Sequence, residues 1–164
     1  MADFFRRSVV LLVEHNEEGA FGLVLNRPSE TTVGEAVPEL ADLIGPDHVL
    51  HVGGPVQPGA VTAVGEHADP GESTKLVVGT VGMVDLDELP GGGRPDLSRV
   101  RVFAGYAGWG PGQLEEELEA DAWFVEDAHP DDPFNDQDLW AAVLSRKGGE
   151  FELLARMPAD PSVN

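Results

Sequence analysis

Two apolar runs near the start of the chain, Ser8–His15 (SVVLLVEH) and Ala20–Asn26 (AFGLVLN), are separated only by Asn16-Glu17-Glu18-Gly19. A near-continuous apolar run of this length predicts a strand covered on both faces. Two such runs joined by a four-residue link that ends in glycine predict a β-hairpin. Pro28 has no N–H to give to a ladder, so the second strand is expected to stop there. The chain therefore opens by building sheet.

The remainder continues in short segments cut by glycine and proline. Thr32-Val33-Gly34-Glu35 has capping-box spacing and predicts a helix from Val33 to about Ile44, with Pro38 as a fault that kinks or delays it and Gly45-Pro46 as its end. Further strands are predicted at His48–Val52, Ala60–His67, Lys75–Val84, Val100–Ala104, Ala122–Val125 and Phe151–Ala155. Pro90-Gly91-Gly92-Gly93 reads as a loop too short to link domains. One helix should begin near Pro111, carrying Leu114 and Leu118 on one face. Another should span Gln137–Lys147, with Leu139, Trp140, Val143 and Leu144 as its apolar stripe and Gly148-Gly149 as its stop. Many strands and few helices, not regularly alternating, predict an α+β fold. The 164 residues are expected to form a single domain, residues 1–164.

Acids outnumber bases 30 to 10, a formal net charge of −20. Such a chain repels nucleic acid and anionic membranes at long range, so direct nucleic-acid binding is disfavoured and no membrane contact is expected. Without cysteine there are no disulfides, no thiolate catalysis and no cysteine-ligated zinc. No run approaches the roughly 18 apolar residues of a membrane span, and no small-residue cleavage site follows the N-terminal apolar run. The expectation is a soluble cytoplasmic protein. Two lysines against eight arginines fit a GC-rich genome without any functional reading. The charge is unevenly spread. No lysine or arginine lies between Arg101 and Arg146, whereas Glu115, Glu116, Glu117, Glu119, Asp121, Glu126, Asp127, Asp131, Asp132, Asp136 and Asp138 do. A strongly anionic face is expected, suited to a basic protein partner or to divalent cations, or simply solvated.

The glycine-rich stretch Gly105–Gly112 (GYAGWGPG) between a strand and a helix raises the possibility of a phosphate cradle. Its spacing matches neither a dinucleotide fingerprint nor a P-loop, and three glutamates crowd the helix start. A tight strand-to-helix turn is the better reading. His129-Pro130-Asp131-Asp132, with Asp136, offers nitrogen and oxygen donors but no known ligand spacing. Ser8, Ser73, Ser98 and Ser145 lack a nucleophile elbow. His48 and His51 can share a strand end without chemistry. With no catalytic constellation, the chain leans away from being an enzyme, and neither metal nor cofactor is expected. Tyr106, Trp109, Trp123 and Trp140 default to core packing, although glycines beside Tyr106 and Trp109 leave those two rings placed to line a groove.

Several segments in order carry a resemblance: FRRSVV at Phe5–Val10, HNEEGA at His15–Ala20, GLVLNRP at Gly22–Pro28, GGPV at Gly53–Val56, GYAGWGPGQLE at Gly105–Glu115, Ala122-Trp123 and PADPSVN at Pro158–Asn164. Together they are similar to the YqgE/AlgH family of bacterial proteins over essentially the whole chain. The resemblance implies a mixed, branched sheet curled into a pseudo-barrel with a few flanking helices, in a cytosolic protein, some of whose relatives carry a transcriptional-regulator label. It supplies no catalytic residue. Its motif positions suggest a shared binding surface: Asn26, Arg27 and Pro28; Gly53, Gly54 and Pro55; and Tyr106, Gly108, Trp109, Gly112 and Gln113. Folding roles for the same residues are the competing reading. The family usually carries a further apolar strand before FRRSVV. Here Met1-Ala2-Asp3-Phe4 alone precede Phe5, so that strand is expected to be missing, through a downstream start codon or trimming, with an exposed sheet edge as the result.

Three functions follow from these features. The first is a non-enzymatic regulatory protein acting through protein contacts with a basic partner. The second is a small-molecule binder or enzyme using the Tyr106–Gln113 turn. Direct DNA regulation comes last, because of the charge.

Overall fold

Val10–Asn16 (β1) and Gly19–Val24 (β2) form the expected antiparallel hairpin, with an irregularity between Leu12 and Glu14. The structure is a computed structural model and describes residues 7–156 except 46, 70, 72, 74, 85 and 87–96; the side chains at 42 and 43 are likewise outside the description. The expected loop at Pro90–Gly93 and the PADPSVN tail lie outside the described residues, as do Met1–Arg6.

Pro28 ends nothing beyond the hairpin; it starts a strand of its own. β3 (Pro28–Thr32) pairs antiparallel with β4 (Val49–Val52), with Pro28 opposite His51. At the first position of a strand, its missing N–H is tolerated. The long strands β5 (Val56–His67) and β8 (Leu97–Trp109) form the trunk of the sheet, antiparallel from Val56/Tyr106 to His67/Leu97. On its other edge β8 divides. Phe103 and Ala104 pair parallel with β4, while Ala107, Gly108 and Trp109 pair antiparallel with β2. β6 (Lys75–Val78) and β7 (Val81–Met83) complete the path β1-β2-β8-β5-β7-β6, with β3 and β4 branching from it. The two ends of that path approach each other: Lys75 Nζ stands 3.9 Å from Glu14 Oε1, and Val77 and Val78 pack in one cluster with Leu11. The result is a mixed, branched, nearly closed barrel in an α+β fold.

Its interior holds Leu11, Leu23, Leu25, Val64, Val81 and Phe103, closed at one end by Leu139. The other face of the trunk, with Ala63 and Val102, is covered by Val33, Leu40 and Ile44. The middle of the trunk, Ala63 and Val64 with Val102 and Phe103, is thus buried on both sides, which is why it is apolar there. Each fully buried large side chain, such as Phe103 or Leu23, contributes about 1.5–3 kcal/mol.

The helices depart from expectation in informative ways. The Val33–Ile44 helix is split into α1 (Val33–Ala36), a 3₁₀ turn at Pro38–Leu40 and α2 (Ala41–Ile44). Thr32 Oγ1 caps α1 by accepting from the Glu35 N–H at 3.3 Å. Val37, forced from helical angles by the proline after it, sits at φ −135° and breaks the run. The Lys75–Val84 strand is a hairpin turning at Gly79-Thr80. α3 spans Gln113–Glu119 and α4 spans Leu139–Lys147, the latter capped by the Asp138 carboxylate on the Ala141 N–H. Phe151–Ala155 is not a strand: it lies in α5 (Glu150–Ala155), which Gly148 and Gly149 divide from α4 by taking positive φ. Ala122–Val125 is also not a strand. It has no ladder partner among the described residues; the Ala122 N–H donates to the Glu117 carbonyl, Trp123 Nε1 to the Glu117 carboxylate and Lys147 Nζ to the Val125 carbonyl.

The glycine-rich stretch is the largest correction. Only its last residues, 110–112, turn from strand to helix, since β8 continues through the rest to Trp109. Gly105 has φ +76°, and a Cβ there would lie 2.4 Å from the Gly54 carbonyl oxygen; one on Gly54 would lie 2.1 Å from the Tyr106 backbone. These glycines let two strands touch where the sheet branches.

Candidate functional site

Leu25 N–H donates to the Val9 carbonyl at 2.8 Å, and Val9 N–H donates to Asn26 Oδ1 at 2.9 Å. Both polar groups of Val9 therefore point toward β2. Strand alternation then turns the N–H and C=O of Val10 and Leu12 the other way. There, beyond β1, lies a groove of about 530 Å³. Val10, Leu12 and Val77 line one side; Leu114 and Leu118 of α3 with Trp109 and Trp123 line another; Trp140, Val143 and Leu144 of α4 line a third. Segment 122–128 forms its outer wall.

Glu117 organises the α3 wall. It accepts from Trp109 Nε1 at 3.3 Å, Trp123 Nε1 at 2.9 Å and Gln113 Nε2 at 3.1 Å, and the two indoles meet edge to face at 5.9 Å. His15 Nε2 lies 3.0 Å from Glu115 Oε1 and joins β1 to α3. That bond is the main reason the Glu115 carboxyl sits below its ordinary pKa. Apolar surface nonetheless stays open: Leu12 is 40%, Phe124 54% and Val125 64% exposed.

The cations lining the groove are already engaged. Arg7 stacks over the Trp140 ring at 4.0 Å. Arg146 grips both Asp132 oxygens, at 3.0 and 2.9 Å, and this hydrogen-bonded pairing raises its pKa. Lys147 donates to the Val125 carbonyl at 2.7 Å.

Acids of the 129–136 segment are tied down in the same way. Arg99 reaches Asp131 at 2.8 Å and Glu66 at 3.0 Å, while Arg101 binds Asp136 and, at 2.9 Å, the Pro133 carbonyl. The donor set His129, Asp131, Asp132 and Asp136 is thus met carboxylate by carboxylate with arginine. Among the described residues no group of three or more His, Asp or Glu is placed to hold a metal ion. By contrast, the carboxylates from Glu115 to Asp127 form no salt bridge with lysine or arginine among the described residues.

The suggested surface residues fall into three places. Asn26 ties the sheet end together, accepting from Val9 and donating to the Arg7 carbonyl at 2.9 Å. Arg27 is half-buried, with its pKa lowered by desolvation, and its carbonyl accepts from Val52; Pro28 opposes His51. Gly53, Gly54 and Pro55 lie where β4 meets β8: Gly53 N–H donates to Ala104 at 2.8 Å, and Tyr106 packs on Phe21 with centroids 4.9 Å apart. Gly108 is exposed on β8, Gly112 caps α3 at φ +74°, and Gln113 Oε1 accepts from Gly110 at 3.0 Å. Of this set, Trp109 alone lines the groove.

Sequence reasoning missed Leu12, Trp123, Phe124 and Val125 as a group. Their signal was faint. Leu12 merges into a core strand, and the other three read as a strand when they are in fact a wall.

Fold and groove together define a sheet-rich α+β domain, a branched and nearly closed barrel with an open apolar groove on its flank. The chain belongs to the AlgH-like family, whose model matches residues 1–152. It is 44% identical to a UPF0301 protein of Streptomyces coelicolor over 171 aligned positions, covering 98% of this chain and 87% of that one. A UPF0301 protein of Mycobacteroides abscessus is 46% identical, with 98% and 80% covered. Among solved structures, a Corynebacterium diphtheriae protein superposes with a TM-score of 0.83 at 33% identity, covering 96% of this chain and 86% of that one. The AlgH protein of Pseudomonas aeruginosa gives 0.68 at 32%, covering 92% and 84%. No helix among the described residues is long and apolar enough to cross a membrane.

Proposed function

We propose that this chain is a non-enzymatic interaction protein that receives a basic protein partner at the groove between β1, α3 and segment 122–127. One observation carries the reading: Leu12, Phe124 and Val125 stand exposed in a single groove, beside carboxylates that form no salt bridge with lysine or arginine among the described residues, although the charge of Arg146 reaches Glu126 and Asp127. Apolar surface left open in this way marks interaction sites. Acids at its rim steer a cationic partner and choose it by sign. The formal charge of −20 extends that selection over the molecule and opposes nucleic acid.

The test is a side-by-side purification of the wild type and a Phe124→Ser/Val125→Ser variant from cells of its own organism. The expected result is one basic protein, identified by mass spectrometry, that is held at low salt by the wild type alone and released at high salt. Equal retention by both proteins, or a partner indifferent to salt, overturns the reading.

A second reading rests on the groove's size, since about 530 Å³ lies within the range of small-ligand sites. It moves the small-molecule hypothesis from the Tyr106–Gln113 stretch to the Trp109–Trp123 wall. Native mass spectrometry decides it. A retained mass of a few hundred daltons, lost on Trp123→Ala, supports a ligand; bare protein removes that reading.

A further inference from the structure

The sheet path begins at β1 and ends at β6, and among the described residues the two strands meet through the Glu14–Lys75 pair and side-chain packing. No hydrogen-bonded ladder joins them among the described residues. Away from Glu14, toward Arg7, the seam opens into the groove. Among the described residues, its margin on the β1 side is an edge of unpaired backbone. The Val9 bonds fix its phase, and a second strand confirms it: Val24, opposite Val10, sends its own N–H away from β1, to the Gly53 carbonyl at 2.8 Å. Val10–Val24 and Leu12–Gly22 are thus the pairs that exchange no hydrogen bonds, and the peptide groups of Val10 and Leu12 face the groove. An unpaired edge beside apolar pockets suits an extended peptide, which satisfies the backbone and seats alternate side chains.

We propose that the groove takes an extended, lysine- or arginine-bearing segment of a partner protein as an added strand along β1. This rests on the reading of function given above and names how the partner is held. Charge argues for the occupant. Alternate residues of an added strand would point to the apolar floor of Leu114, Leu118 and Trp123, and the residues between them toward the rim of Glu126 and Asp127. The lining cations are bound to Trp140, Asp132 and the Val125 carbonyl; the charge of Arg146 reaches Glu126 and Asp127, but neither acid forms a salt bridge among the described residues, so both can take an incoming basic group. A second copy of this chain is a poor occupant, because it brings another −20 to the same edge.

The probe is a synthetic peptide of about ten residues, a typical strand length, alternating valine and lysine. It is compared with a valine–glutamate peptide and with a valine–lysine peptide N-methylated at alternate amides. Calorimetry and amide hydrogen exchange are read on the intact protein. Strand addition predicts salt-sensitive binding of the valine–lysine peptide and no binding of the glutamate peptide. It also predicts slowed exchange at Val10 and Leu12, and a loss of about tenfold or more on N-methylation, the worth of one to two hydrogen bonds. Leu12→Pro, which removes an N–H facing the groove, should weaken binding similarly while keeping the β1–β2 ladder.

Salt-sensitive binding that ignores N-methylation and leaves Val10 and Leu12 unprotected overturns strand addition and leaves the basic-partner reading standing. Absence of binding by the lysine peptide, or equal binding of the glutamate peptide, overturns both. Slow exchange at Val10 and Leu12 in the free protein overturns strand addition as well, because the edge would then already be filled, by this chain or by a second copy.

Discussion

Between His129 and Asp136 each carboxylate meets an arginine: Asp131 meets Arg99, Asp132 meets Arg146 and Asp136 meets Arg101. From Glu115 to Asp127, also acidic and only a few residues earlier, the carboxylates meet histidine, indole and amide donors or solvent. The first region uses its charge to strap a loop across the barrel, with Arg99 also lying 4.5 Å over the Phe134 ring. The second forms no salt bridge with lysine or arginine among the described residues and lies beside exposed Phe124 and Val125. In one chain, then, acid runs of similar composition do two jobs. The position of the arginines decides which is which.

The largest expected effect comes from cutting a strap. Arg146→Met leaves Asp132, whose side chain is only 10% exposed, without its bidentate partner. A loss of roughly 2–3 kcal/mol is expected, less than for a fully buried pair because the arginine is partly solvated, and is read from the urea midpoint. If Arg146→Met is neutral, the strap is ornamental and the contrast between the two regions fails.

A smaller effect lies in the response to acid. His51 is buried against Phe103, and desolvation, assisted by nearby Arg101, lowers its pKa. The unfolded chain therefore binds a proton that the folded one refuses, so stability rises with pH. This contribution is complete above the ordinary histidine value of about 6.5 and is lost as pH falls toward the folded pKa. Thermal unfolding across that range should show the loss, and His51→Asn should flatten it. An unchanged slope in the variant assigns the response elsewhere. Glu66, held down by Ser98 and then Arg99, adds a similar loss at lower pH, since a depressed carboxyl gives its stability up as pH drops through its folded pKa.

The smallest effect sharpens the groove side. His15→Ala removes the bond that lowers Glu115, so the Glu115 carboxyl should titrate higher, toward the usual value of about 4.3, in an NMR titration. No movement means the bond does not form in solution and α3 is not latched to β1 in this way.

Much of the fold was legible in the sequence because it was written locally. Apolar runs broken by glycine marked the first hairpin, the Thr32 cap marked α1, and the stripe Leu139, Trp140, Val143 and Leu144 marked α4. Errors came where tertiary contact overrode local pattern. Gly105 and Gly108 look like a turn until Gly54 is found pressed against their strand. Phe151–Ala155 looks like a strand until a single helical turn sets Phe151 against Phe124 at 4.9 Å. The site was less legible. The acid run was plain, but the arginines that meet two of its acids lie some thirty residues away on β8, with Arg99 reaching Asp131 and Arg101 reaching Asp136. Likewise His15 and Glu115, a hundred positions apart, frame a groove that no local window contains.

The central claim is that open apolar surface beside acids held in no salt bridge forms the binding face. Calorimetry with the valine–lysine peptide tests it on three proteins: wild type, Phe124→Ser/Val125→Ser, and Val49→Ser, which alters an exposed apolar residue outside the groove. The account predicts that the double variant keeps its stability within about 1 kcal/mol yet loses affinity about tenfold or more, while Val49→Ser binds like wild type. Equal affinity for all three proteins contradicts it.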